Sequence, residues 1–140
     1  MDRKQLETIA GRLADNASPG SRYFLIGELG TGKSVFARAF LRRLGVKGAI
    51  PSPSFIVDAR YDCSGHEVHH IDLYRLEGNS EQLEFYGIDD ILNSDAVVLV
   101  EWADRLNPEY LKGGVVVRLA YTDDPEQRRV EIVEEPLAGN

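Results

Sequence analysis

Two short runs of uninterrupted apolar residues stand out in the hydrophobic pattern of the chain. They are residues 23–26 (Tyr-Phe-Leu-Ile) and residues 96–100 (Ala-Val-Val-Leu-Val). A strand with no polar alternation is buried on both faces, as in the sheets of α/β proteins. The pattern therefore predicts two strands inside a covered sheet.

Apolar residues spaced by three or four positions predict amphipathic helices on either side of the first run. Residues 6–17 show this spacing and are followed by a break at residues 18–20 (Ser-Pro-Gly). A second helix starts after residue 34 and stops at Gly45, a residue type that suits a helix end. A short third helix is predicted to begin at Ser80, a capping residue type.

Two further segments have the pattern of β-hairpins. Residues 55–61 and 67–76 flank a turn-like Asp-Cys-Ser-Gly, and residues 115–121 and 129–134 flank Thr-Asp-Asp-Pro. With the helices, these hairpins predict a chain that mixes parallel and antiparallel elements.

Length and composition limit the class of protein. The chain has 140 residues, which predicts one domain over residues 1–135 and a frayed tail at 136–140. Its formal net charge of −7 argues against a general attraction to nucleic acid, and its single cysteine, Cys63, excludes an internal disulfide. No apolar run reaches the length of a membrane span, and residues 1–5 lack a signal-peptide core. We expect a soluble, cytoplasmic protein without membrane contact.

The clearest chemical signal is the phosphate loop, residues 27–34 (Gly-Glu-Leu-Gly-Thr-Gly-Lys-Ser), which matches G-x-x-x-x-G-K-[ST] between a buried strand and a helix. Gly30 and Gly32 let backbone N–H groups approach phosphate oxygens. Lys33 offers a positive charge to the outer phosphates, and Ser34 a hydroxyl to Mg²⁺. A glycine-rich turn that only caps a helix is the alternative, and the setting favours nucleotide binding.

Such a loop needs an acid to complete its metal site, and two residues qualify. Glu101 follows the second apolar run, so it should emerge at the carboxyl end of a strand, where open α/β sheets bind ligands. Asp72 shares one strand face with His70 and Tyr74 by period-two alternation. A solvated strand residue is the other interpretation of Asp72.

Two weaker features leave alternatives open. Cys63, His66, His69 and His70 resemble a zinc ligand set, but alternation points the last two to opposite faces, so a plain hairpin is favoured. Trp102 fits an aromatic lid over a base, a contact with another protein, or a core residue.

Four blocks in this order resemble the TsaE (YjeE) family of small bacterial ATPases in tRNA threonylcarbamoyladenosine biosynthesis. They are the phosphate loop, residues 52–55 (Ser-Pro-Ser-Phe), residues 70–75 (His-Ile-Asp-Leu-Tyr-Arg) and residues 100–102 (Val-Glu-Trp). The resemblance covers residues 20–105, and an ordered set of four blocks is far more specific than the phosphate loop alone.

The resemblance implies a fold, ligands and partners. The fold is an α/β sandwich of the P-loop NTPase type, whose mixed, partly antiparallel central sheet is flanked by helices. The expected cofactors are ATP or ADP and Mg²⁺. The expected partners are TsaB and TsaD, which transfer the threonylcarbamoyl group to adenosine 37 of tRNAs that read codons beginning with A. Contact with tRNA is then expected only through that complex.

The resemblance also implies roles for individual residues. Ser34 and Glu101 match magnesium positions, Asp72 matches an acid needed for activity, and Ser52 and Ser54 belong to a switch-like loop. With Lys33, the two acids are the expected catalytic residues. The implied nucleotide-binding stretch consists of Leu29, Gly30, Thr31, Gly32, Lys33 and Ser34.

Two other functions use the same loop. A small-molecule kinase needs a lid and an acceptor-binding region, for which 140 residues leave little room. A nucleotide-dependent binding module without useful turnover would need Asp72 and Glu101 only to hold the metal. We expect an ATPase that is slow alone and faster with its partners.

Overall fold

Six strands form one sheet in the computed structural model of the chain, which describes residues 1–50, 57–63, 65–76 and 80–135. The helices are α1 (Arg3–Asp15), α2 (Lys33–Leu44), α3 (Ser80–Phe85) and α4 (Ile88–Leu92). The strands are β1 (Arg22–Gly27), β2 (Asp58–Cys63), β3 (His66–Asp72), β4 (Val97–Glu101), β5 (Val115–Tyr121) and β6 (Arg128–Glu134). None of the helices in these ranges combines the length and apolar character needed to cross a membrane.

The strand order is β2-β3-β4-β1-β5-β6, and the four central strands are parallel. At each edge the outer strand is antiparallel to its neighbour, β2 to β3 and β6 to β5. Both edge strands belong to the hairpins that the sequence predicts. The mixed, partly antiparallel sheet is therefore confirmed.

Strand β1 separates two apolar cores. Tyr23 and Leu25 pack in the core on the side of α1 and α2, while Phe24 between them packs on the side of α3 and α4. All three side chains are buried, which confirms a strand covered on both faces. From α2, Phe36 and Phe40 point into the first of these cores. The flanking helices thus fix β1, and with it the loop that follows β1.

Local capping explains where α1 begins and where α2 ends. The Asp2 carboxylate accepts from the Gln5 N–H, and the Gln5 side chain accepts from the Asp2 N–H, each at 2.8 Å. Such a reciprocal pair satisfies N–H groups that a helix start leaves free. Helix α2 ends before Gly45, which has a φ of 110°, as predicted.

The prediction of a strand over residues 67–76 is wrong at its end, because β3 stops at Asp72. The Asp72 carboxylate accepts from the Tyr74 N–H at 2.7 Å, and the Leu76 N–H donates to the Leu73 carbonyl at 3.0 Å. These bonds turn the chain, so Tyr74 does not lie on the strand face. The predictions for residues 52–55 and 136–140 lie outside the described residues.

Candidate functional site

Three neighbouring parallel strands end at the same edge of the sheet. Strand β1 leads into the phosphate loop, β3 ends at Asp72, and β4 ends at Glu101. Asp72 and Glu101 are paired in the β3–β4 register. A cavity of about 460 Å³, here the first cavity, opens at this edge. It is lined by Leu29, Gly30, Gly32, Lys33, Ser34, Val35, Asp72, Tyr74, Glu101 and Trp102.

The phosphate loop takes a shape that its glycines allow. Gly30 and Gly32 have φ values of 81° and 111°, a left-handed conformation in which a residue with a Cβ is strained. Buried Thr31 stabilises the turn because its hydroxyl donates to the Glu28 carbonyl at 2.7 Å. Helix α2 begins at Lys33, so its positive N-terminal end faces the first cavity.

Lys33 is buried against the loop that precedes it. Its ammonium donates to the carbonyls of Gly27 and of Glu28, the latter at 2.8 Å. Burial lowers the pKa of Lys33, whereas the nearby acids, first Glu101, act to raise it. The ammonium therefore sits between the loop carbonyls and the two acids of the first cavity.

Trp102 forms a wall of the first cavity and also packs against the apolar core on the side of α3 and α4. Its ring centroid lies 4.1 Å from the Lys33 nitrogen and 5.1 Å from the Tyr74 ring. Its φ of 58° is rare for a residue with a side chain, and such strain persists only where the surroundings fix it. The backbone at the end of β4 therefore directs this indole towards the lysine.

Asp72 is buried, and burial raises the pKa of its carboxyl to about 6. The hydrogen bond from the Tyr74 N–H opposes this rise in pKa, and the charge of Glu101 contributes to it. The Asp72 N–H donates to the Val57 carbonyl at 2.8 Å. The segment with Ser52 and Ser54 lies outside the described residues. The hydrogen bond to Val57 connects the chain just after that segment to Asp72.

Glu101 is 2% exposed and has a partner that the sequence interpretation missed. Its Oε2 lies 2.6 Å from Nε2 of His70, which is also buried. The sequence places His70 and Asp72 on one face of β3, but only the β3–β4 register brings the imidazole to this carboxylate. His70 thus fixes the orientation of Glu101.

The oxygen donors of the first cavity match the preference of Mg²⁺. Ser34 is exposed in the first turn of α2 and lines the same cavity as the carboxylates of Asp72 and Glu101. Hydroxyl and carboxylate oxygens are the ligands that Mg²⁺ takes in proteins. Within the described residues, the site residues predicted from the sequence line this cavity, except Thr31, which lines a second cavity.

The zinc interpretation of the hairpin finds no support. His69 points away from His70, and its ring nitrogens lie 2.8 Å from the Asp58 carboxylate and 2.5 Å from that of Glu67. In the part of the chain that the structure describes, no group of three or more His, Cys, Asp or Glu residues has a metal-binding arrangement. The hairpin is held by an imidazole between two carboxylates.

This cluster predicts a pH-dependent contribution to stability. Hydrogen bonds to Asp58 and Glu67 raise the pKa of His69 above its usual 6.5. The stabilisation is therefore complete below pH 6.5 and is lost as the pH rises through the raised pKa. We expect His69→Gln to lower the free energy of unfolding by about 1 kcal/mol more at about pH 6 than at about pH 9.

Urea unfolding at the two pH values measures this difference. The matched control is His66→Gln, which changes an exposed histidine of the same hairpin. Equal losses for His69→Gln at both pH values would contradict a role for the charged imidazole.

The fold is that of an α/β protein of the P-loop NTPase type. Its marks are a buried strand that leads through a glycine loop into a helix, and acids at the ends of β3 and β4. A search of solved structures supports this class of fold. The crystal structure of YdiB from Bacillus subtilis matches with a TM-score of 0.73 and 24% sequence identity, over 95% of this chain and 81% of that one.

The sequence comparisons give the family. The family profile described as "Threonylcarbamoyl adenosine biosynthesis protein TsaE" matches residues 1–130. The "tRNA threonylcarbamoyladenosine biosynthesis protein TsaE" of Haemophilus influenzae is 34% identical over 83% of this chain and 72% of its own length. The Bacillus subtilis protein of the same name is 34% identical over 88% of this chain and 77% of its own length. The chain belongs to the TsaE family, whose place is in tRNA threonylcarbamoyladenosine biosynthesis.

Proposed function

We propose that this chain is an ATPase that acts on the TsaB–TsaD complex in the threonylcarbamoyl modification of adenosine 37 of tRNA. One observation carries the proposal. A single cavity holds the phosphate-loop lysine, a hydroxyl for a metal and two buried carboxylates from adjacent strands, namely Lys33, Ser34, Asp72 and Glu101. Membership of the TsaE family supports the pathway.

In this proposal the phosphates of ATP bind in the first cavity, along the loop and the first turn of α2. The Lys33 ammonium, which is bonded to loop carbonyls, exchanges part of that contact for phosphate oxygens. Mg²⁺, when bound, neutralises charge on the outer phosphates, and Ser34 and Glu101 are the residues that would hold it. His70 keeps the Glu101 carboxylate in place at 2.6 Å.

The nucleoside is proposed to occupy the second cavity, which has a volume of about 350 Å³. This cavity shares Gly30, Gly32 and Val35 with the first one, so a ligand that follows the loop reaches both. Leu6 and Pro125 offer apolar surface for a base. The sequence analysis left the contacts of the base open, with Trp102 as one candidate for a lid over it.

Asp72 is proposed to orient the water that attacks the terminal phosphorus. Attack forms a new P–O bond, breaks the bond between the terminal phosphorus and the bridging oxygen, and releases ADP and inorganic phosphate, which keeps the protons of the water. A carboxyl whose pKa is raised to about 6 is still largely ionised at neutral pH, so it can accept the hydrogen bond of that water. Glu101, which is bonded to His70, would hold the metal when it is bound.

The proposal includes contact with tRNA only through the partner proteins. A formal net charge of −7 repels a polyphosphate backbone, and phosphate contacts supply most of the affinity for nucleic acid. The switch-like segment with Ser52 and Ser54 is the proposed link between ATP and the TsaB–TsaD pair.

The test measures phosphate release by the purified chain alone, with TsaB and TsaD, and with tRNA alone. We expect slow release alone, a rise with the TsaB–TsaD pair, no change with tRNA alone, and co-elution with the pair that depends on ATP or ADP. Ser54→Ala should reduce the stimulation more than it reduces ATP binding.

Other outcomes point to the alternatives. Consumption of ATP only after a small-molecule acceptor is added would indicate a kinase. Tight ATP binding with no release under any condition would indicate a binding module. No co-elution with any nucleotide, together with unchanged turnover, would refute the proposed partnership even if ATP binds.

A further inference from the structure

The carbonyl groups of the phosphate loop need hydrogen-bond donors. When successive N–H groups of a loop turn towards an anion, the carbonyls between them turn away from it and must find other partners. Those of Gly27 and Glu28 have the Lys33 ammonium. Those of Leu29 and Gly30 have donors from a distant part of the chain.

These donors come from the β5–β6 hairpin. The Tyr121 hydroxyl donates to the Leu29 carbonyl, and Nη2 of Arg128 lies 3.5 Å from the Gly30 carbonyl. Tyr121 and Arg128 face each other as the pair of the β5–β6 ladder next to its turn. The two residues, here the hairpin pair, therefore reach the loop together.

Contacts within the hairpin itself also fix the side chains of the hairpin pair. The Arg128 guanidinium lies 4.9 Å from the centroid of the Tyr121 ring, a distance at which a cation and an aromatic ring attract. The same guanidinium donates to the carbonyls of Pro125 at 2.9 Å and Gln127 at 3.0 Å. These contacts restrict the rotamers of Arg128, so a further bond to the loop costs less conformational entropy.

The hairpin approaches the loop most closely at Gly30. A Cβ added to Gly30 would lie 2.7 Å from the Tyr121 hydroxyl oxygen. Gly30 permits the left-handed turn, and a side chain there would displace the Tyr121 hydroxyl from its present position. Arg128 also lines the second cavity beside Gly30, Thr31 and Gly32.

We propose that Tyr121 and Arg128 are positioning residues that hold the phosphate loop in the conformation that receives a nucleotide. The inference rests on the proposed nucleotide site and adds to it two residues of the last hairpin, outside the motif blocks. Without the hairpin pair, the Leu29 and Gly30 carbonyls can rotate, and the Gly30 N–H between them loses its fixed direction. The loop then has to order itself when the nucleotide binds, which weakens binding.

Tyr121→Phe and Arg128→Gln test this proposal, because each removes donors and keeps most of the side chain. Tyr86→Phe and Arg129→Gln are the matched controls: they make the same chemical changes at an exposed tyrosine and at the exposed neighbour of Arg128. Three quantities are measured: amide hydrogen exchange of residues 28–33 without nucleotide, ADP affinity from the fluorescence of Trp102, the single tryptophan, and the melting temperature.

We expect exchange in the loop to be about three- to tenfold faster and ADP binding to be about three- to tenfold weaker in both variants. Protection in β5 and β6 and the melting temperature should match the parent, and saturating ADP should restore protection of the loop. The two controls should behave as the parent does.

Loop exchange and ADP affinity equal to the parent would overturn the proposal. A lower melting temperature with lost protection along β5 and β6 would also overturn it, since the pair would then only stabilise the hairpin. If the parent itself fails to bind ADP, the proposed function is wrong. Amide hydrogen exchange of the loop without nucleotide then still decides whether the hairpin pair positions the loop.

Discussion

Lys33→Ala is expected to lower ATP hydrolysis by about 10²- to 10³-fold and to weaken ATP binding strongly. Among the residues that line the first cavity in the described part of the chain, Lys33 is the sole cation, and it faces Asp72 and Glu101. Its removal deletes an attraction for the phosphates and leaves two carboxylates that repel them. Few single changes alter the electrostatics of this cavity as much.

The fold should survive this change. The Glu28 carbonyl keeps the Thr31 hydroxyl at 2.7 Å as a donor, so the loop retains a bond that does not involve Lys33. Lys33→Met, which keeps an apolar stem in the buried position, provides a second variant without the charge. Melting temperatures of both variants establish that loss of activity is not loss of fold.

Lys47→Ala is the matched control, because it removes the same charge from an exposed lysine beyond the other end of α2. Phosphate release and the fluorescence of Trp102 measure turnover and binding. Ser34→Ala, which keeps the lysine, should instead raise the Mg²⁺ concentration needed for binding. If Lys33→Ala bound and hydrolysed Mg-ATP as the parent does, the phosphate-loop assignment would be wrong.

Local signals in the sequence predicted much of this site. The spacing of glycines, lysine and hydroxyl in residues 27–34 is set by one loop, so no distant contact is needed to recognise it. Glu101 was placed correctly because a continuous apolar run must end at an edge of the sheet, and an acid comes at that end. Both inferences depend on neighbours in sequence.

Contacts between distant residues escaped the same reasoning. The bond of His70 to Glu101 depends on the register between two parallel strands, which no local pattern specifies. The bond of Tyr121 to Leu29 joins residues 92 positions apart. The end of β3 was missed because residues 73–76 continue a strand-like pattern, whereas a side-chain hydrogen bond from Asp72 turns the chain there.

Asp72→Asn is expected to lower hydrolysis by about 10²- to 10⁴-fold and to leave ATP binding near that of the parent. Asparagine keeps an oxygen that can accept from the Tyr74 N–H, so the turn after β3 persists. It removes the negative charge that would orient the attacking water. Glu101→Gln should differ, because it reduces the dependence of binding on Mg²⁺ along with turnover. The opposite pattern would exchange the roles of the two acids.

The same substitution should stabilise the protein without nucleotide. The pKa of Asp72 rises from 3.8 to about 6 on folding, so the folded state favours the protonated carboxyl. Above about pH 6 the fold holds an ionised carboxylate beside Glu101 and loses stability, and below about pH 3.8 this loss is absent. Asparagine has no such charge, so we expect Asp72→Asn to raise the free energy of unfolding by about 1 kcal/mol near pH 8. This figure is reduced for screening by solvent in the open cavity.

Urea unfolding of the parent and of Asp72→Asn near pH 8 and near pH 4 measures this gain, which should shrink towards zero at the lower pH. Asp104→Asn is the control, because it removes an exposed carboxylate just after β4. Substitution of a residue that serves packing lowers the free energy of unfolding. Substitution of a residue that serves chemistry at a cost in stability should raise it. Lower stability near pH 8 together with unimpaired hydrolysis would therefore remove Asp72 from the catalytic site.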